Sequence, residues 1–122
     1  MRHRDLEGPL HRAILAWLQR VLPNALVHHS ANEIGLKGKD VARQIAKAKW
    51  NGMTPGWPDL EVLTAHGPLF LEVKAPGGST TEAQTAVHDH MRRLGYRVAV
   101  VKGVDDARAA LAAWGIPTRE AP

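Results

Sequence analysis

The sequence predicts an α/β fold with a mixed sheet of about four strands flanked by helices, and three observations carry that prediction. Apolar residues recur at three- and four-residue spacing in separate stretches, the mark of amphipathic helices. Between them stand short apolar runs bounded by turn formers, the mark of strands. The last such run follows a helix, so a helical crossover sets it parallel to the strand before.

The elements follow in order. From Leu6 to Leu22 the spacing of Leu10, Ala13, Ile14, Trp17, Leu18 and Val21 predicts a first helix, ended by Pro23-Asn24. Residues 25–30 form a short strand, and 38–50 a second helix stopped by Asn51-Gly52. After the rigid loop 53–58, the runs 60–63 and 69–74 form a hairpin across Ala65-His66-Gly67-Pro68. Ala75-Pro76-Gly77-Gly78 breaks the strand, and a third helix runs from the caps at 79–82 to Leu94, where Gly95 stops it. Residues 97–101 are the final strand, and 104–114 a closing helix that, with the first, takes Trp17 and Trp114 into the core.

The 122 residues match one average domain, so a single domain over 1–122 is expected, without an added helicase or DNA-binding unit. No apolar run spans a bilayer and no signal peptide opens the chain, so a soluble, cytoplasmic protein is expected, with no membrane partner. The absence of cysteine excludes a thiol nucleophile and thiolate metal sites. Sixteen Lys+Arg against 12 Asp+Glu give +4, a balance suited to a phosphate-rich partner. Lys39, Arg43 and Lys47 fall at i, i+4 and i+8, one stripe along the second helix, which Lys37 and Lys49 extend. That stripe, a candidate nucleic-acid contact, would otherwise be a solvated helix face.

The hairpin makes neighbours of distant residues. With its turn near His66-Gly67, Asp59 lies opposite Glu72 to Lys74, and opposed residues on an antiparallel pair sit about 5 Å apart. Glu72 and Lys74 share one face of their strand. Two converging carboxylates repel unless a proton or cation intervenes, and oxygen ligands at this spacing suit Mg²⁺. Such a metal activates water and polarises a phosphate, with Lys74 orienting the water or balancing developing charge. Pro58 and Gly56 deliver Asp59 at a fixed point.

Gly56-Trp57-Pro58-Asp59, then Glu72-Val73-Lys74 with Ala75-Pro76-Gly77-Gly78, then Gln84 in a helix, with Glu7 in the first helix, resemble the VRR-NUC branch of the PD-(D/E)xK nucleases. A lone Pro-Asp or Glu-x-Lys is common; the ordered set is specific. The resemblance implies a restriction-endonuclease-like core and Mg²⁺- or Mn²⁺-dependent phosphodiester hydrolysis, with no small-molecule cofactor. It further implies metal ligation by Asp59, Glu72 and the Val73 carbonyl, with Glu7 supporting the metal or its waters and Gln84 positioning the site. Stand-alone members resemble junction-resolving enzymes of phage or bacteria that act as homodimers on branched DNA. Flap, nick or duplex cleavage, or a catalytically idle DNA-binding module, are the alternatives.

Two of these residues have a second reading. Thr81-Glu82-Ala83-Gln84 fits a capping box, which would employ Gln84 at the helix end, whereas with Thr80 as N-cap it would face the site. Glu7 also suits a first turn simply by its charge. His28-His29 and His88-x-His90 lack metal-ligand spacing and read as surface or DNA-facing residues. Trp57, beside Asp59, is open to either a packing or a stacking role.

Overall fold

The central hairpin is fixed by its turn. Thr64 Oγ1 donates to the Gly67 carbonyl (2.9 Å) and accepts from the His66 N–H (2.9 Å), while Gly67 takes φ 104°, a conformation that favours glycine. The strands leaving this turn are β2 (Leu60–Thr64) and β3 (Gly67–Val73), with Leu60 opposite Leu71 and Val62 opposite Leu69.

The computed structural model describes residues 7–30 and 41–120. Around the hairpin stand α1 (Glu7–Val21), β1 (Leu26–His29), α2 (Val41–Trp50), α3 (Glu82–Arg93), β4 (Arg97–Val101) and α4 (Val104–Ala113). The sheet order is β1-β2-β3-β4, antiparallel except for the parallel β3–β4 pair that α3 connects. This is the mixed four-stranded sheet flanked by helices that the sequence predicts, with boundaries that agree to within three residues. The predicted start of the second helix, 38–40, lies outside the described residues.

Alternation along the strands divides the core between two faces. One face carries Leu60, Val62, Leu69, Leu71, Val73 and Val101, packed against Ile14, Trp17 and Leu18 of α1 and Ala107 and Leu111 of α4. The other carries Phe70 and Val98, covered by Met91 of α3 and by the partly buried Val87 and Trp57. Behind α1 the tail folds back. The Arg119 N–H donates to the Val21 carbonyl (2.8 Å), and Glu120 accepts from Trp17 Nε1 (2.9 Å) and Arg108 Nη2 (2.6 Å). Trp17 is therefore core, as expected, and Trp114 packs against the same cluster.

No described helix is long and apolar enough to cross a membrane. Ile14 is fully buried between α1 and the sheet. Ile14→Ala is expected to cost about 2–5 kcal/mol, read as a lower urea midpoint at unchanged slope; a loss near 0.5 kcal/mol or less would show that α1 does not seal this face.

Candidate active site

Glu72 is the anomaly of the sheet: a carboxylate 1% exposed in the middle of the fold. It lies on the α3-covered face, between Leu71 and Val73, which point to the opposite core. Continuing the β2–β3 register one step past Leu60–Leu71 sets Asp59 opposite it. Asp59 is pinned twice: Oδ2 accepts from the Val73 N–H (2.8 Å), and its carbonyl accepts from the Ser30 N–H (2.7 Å). The hairpin thus brings Asp59, Glu72 and the Val73 main chain together as the sequence predicts.

The loop that delivers Asp59 is locked from outside the sheet. Gly56 has φ 89°, and a Cβ there would stand 2.6 Å from the Ala83 carbonyl oxygen and 2.8 Å from the Gln84 nitrogen. Backbone touches backbone, so the glycine is needed for space as well as for its angles. Trp57 settles into packing. Its Nε1 donates to Glu61 (2.8 Å), and its ring meets Phe70 edge to face at 5.9 Å.

Burial, a hydrogen bond shared with Glu72 and the charge of Glu72 together raise the Asp59 carboxyl to about 7; the Val73 N–H and His11 act weakly against them. Burial and the neighbouring carboxylate thus favour the protonated form of Asp59. A hard divalent cation is the other way to relieve that repulsion, and the donors fit one. Mg²⁺ takes one or two carboxylates and keeps water for its remaining positions. Among the described residues no group of three or more His, Cys, Asp or Glu side chains could hold a metal ion, so the two carboxylates would need main-chain or water oxygens to complete a cation's shell. Lys74 shares the Glu72 face, and its charge reaches His88.

Helix α3 contributes the other wall, and here two expectations need correcting. Thr81, not Thr80, is the N-cap, and the capping box with Gln84 is complete: Gln84 N donates to Thr81 Oγ1 (3.1 Å) and Gln84 Oε1 accepts from the Thr81 N–H (2.9 Å). Gln84 nevertheless faces the site, its Nε2 3.4 Å from Glu72 Oε2. The two readings are not exclusive, because an amide has an acceptor end for the cap and a donor end for the carboxylate.

The second correction concerns His88, expected at the surface. It is 2% exposed, with Nε2 3.5 Å from Glu72 Oε1. Burial, then the nearby Arg92, lowers its pKa. The signal that could have found it is helical spacing: His88 lies one turn after Gln84 and shares its face.

On the far side, Glu7 is the exposed first residue of α1, and the α1 charge felt at Asp59 is that of His11, one turn on. The His11 ring meets His29 of β1 at 4.4 Å. His28, His29 and His90 are exposed, as the sequence suggests. Arg43, Lys47 and Lys49 are exposed on α2, and Trp50, 89% exposed, continues the Arg43–Lys47 stripe at the next helical step. Lys37 and Lys39 lie outside the described residues.

A mixed four-stranded sheet with Asp and Glu-x-Lys paired across its hairpin defines the class of nuclease-type domains of the PD-(D/E)xK kind. The chain belongs to the VRR-NUC domain family, whose model matches residues 7–105. Two solved structures share the fold. A VRR_NUC domain protein superposes with a TM-score of 0.69 at 22% identity, over 93% of this chain and 90% of that one. A VRR_NUC domain superposes with a TM-score of 0.64 at 21% identity, over 88% and 96%. No curated protein matches the chain.

Two outcomes follow from the site. Asp59 gains a proton on folding, so above the usual carboxylate range its ionisation opposes folding, and stability from this group is lost as pH rises through about 7. In metal-free buffer, Asp59→Asn is expected to raise stability at about pH 8 by about 1–2 kcal/mol, after discounting for partial exposure, and to have little effect near pH 4. Equal effects at both pH values in thermal scans would refute the raised carboxyl. Gly56→Ala is expected to cost about 3 kcal/mol or more in the same assay, since neither its angle nor the Ala83 backbone can yield cheaply.

Proposed function

We propose that this nuclease-type domain is a divalent-metal-dependent endodeoxyribonuclease acting on branched DNA. The observation that carries the reading is the pair Asp59 and Glu72, set together across the hairpin with Glu72 buried, and Lys74 on the same strand face. Asp59, Glu72 and the Val73 carbonyl would hold Mg²⁺ or Mn²⁺, with Glu7, the first residue of α1, supporting it or its waters. When bound, the metal supplies a polarised phosphate and water of lowered pKa.

The chain's own residues do the rest. The Val73 N–H engages Oδ2 and so restrains the rotation of the Asp59 carboxyl beside Glu72. Gln84 steadies Glu72 from α3. Lys74 places a positive charge where charge accumulates on the phosphate and orients the attacking water. Arg43, Lys47 and Lys49 line α2 as contacts to the DNA backbone, with Lys37 and Lys39 extending the stripe.

A four-way junction has two strands to cut, and a chain with one site meets that need by two-fold pairing, so the active species is read as a homodimer resolving Holliday junctions in the cytoplasm. The test is cleavage of a labelled four-way junction beside flap, nicked, linear duplex and single-stranded DNA, with Mg²⁺, Mn²⁺ or EDTA. Paired symmetric cuts are expected in the junction, abolished by EDTA and reduced about a thousandfold or more by Asp59→Ala, equivalent to ~4 kcal/mol. Metal-dependent cutting confined to other substrates would retain the nuclease and discard the resolvase. Binding without cleavage would leave an idle DNA-binding module.

A further inference from the structure

We propose that His88 is a positioning residue that, with Gln84, grips the two oxygens of Glu72 from one face of α3. The inference rests on the nuclease reading. Gln84 Nε2 stands 3.4 Å from Glu72 Oε2, and His88 Nε2 stands 3.5 Å from Glu72 Oε1. Each carboxylate oxygen thus has its own nitrogen from one helix, the two side chains a single turn apart.

Chemistry fixes the state of the ring. Glu72 is 1% and His88 2% exposed, so water does not mediate freely between them. An ionised carboxylate offers acceptors alone, and a bare imidazole nitrogen facing it would repel it. The grip on an ionised Glu72 therefore requires the His88 proton on Nε2, which makes no hydrogen bond elsewhere. At 3.5 Å the contact is longer than a good hydrogen bond and closes with a shift of roughly 0.3–0.5 Å, as catalytic hydrogen bonds do on loading the site. With Gln84 on one oxygen and His88 closing on the other, the carboxylate plane of Glu72 is set by α3 as the site loads. Partners of metal-binding carboxylates of this kind are worth about 10–100-fold in metal affinity or activity.

The experiment uses the whole chain. Mn²⁺ binding is followed by electron paramagnetic resonance without DNA, and cleavage is titrated with Mg²⁺, for the native protein, His88→Leu and His88→Gln, with melting temperature as a check on folding. His88→Leu fills the space without a donor and is expected to weaken Mn²⁺ binding about 10–100-fold and to raise the Mg²⁺ needed for half-maximal cleavage by a similar factor. His88→Gln restores a donor and is expected to recover most of both. Native-like Mn²⁺ binding and kcat in a folded His88→Leu variant would overturn the proposal, as would a His88→Gln variant that folds but recovers nothing.

If His88→Leu does not fold, nitrogen chemical shifts of the native His88 ring decide the matter: a proton on Nε2 supports the grip, and a proton on Nδ1 alone overturns it. A native chain that binds no Mn²⁺ and cuts no DNA would remove the nuclease reading and this proposal with it. A native chain that does both, beside an equally competent His88→Leu, would remove the role of His88 alone.

Discussion

One unfavourable interaction organises this molecule: two carboxylates, Asp59 and Glu72, forced together by the register of a hairpin. Neither would choose its place. Glu72 occupies a position where an apolar side chain would pack without penalty, and a buried charge without partners costs several kcal/mol. The surroundings read as answers to that cost. The Val73 N–H engages Asp59, Gln84 reaches Glu72 from a helix that is itself capped by the same residue, and His88 fills the remaining side. The apolar face of the same strand, Leu69, Leu71 and Val73, anchors the pair to the larger core. A functional site built on the central strand of the sheet inherits the rigidity of that core.

Much of this was legible in the sequence because it is local. The β2–β3 hairpin follows from alternation and a turn at His66-Gly67, and once it is drawn, Asp59 and Glu72 must face each other. The β4 strand is predicted to the residue, since its apolar run is bounded sharply by Gly95 and Gly103. The ends of β1 and β3 were harder, because pairing with a neighbouring strand, not composition, decides where they stop.

What the sequence concealed is tertiary. His88 has the composition of a surface residue in a helix rich in charge, and nothing short of the docking of α3 onto Glu72 reveals that it is buried. Gln84 was legible as a cap or as a site residue, but that one amide serves both requires knowing how close the start of α3 comes to β3. Gly56 shows the same limit. Its freedom of angle was visible in the sequence, while the Ala83 backbone pressed against it was not.

That contact has a mechanical meaning. Side chains in contact can yield by changing rotamer, so a load applied to one is partly absorbed before it reaches the next. At Gly56 two main chains meet with no side chain between them, and this slack is missing. The chain entering β2 and the first turn of α3 therefore meet main chain to main chain, and a shift of the α3 N-terminus toward the site is opposed directly by the loop that carries Asp59.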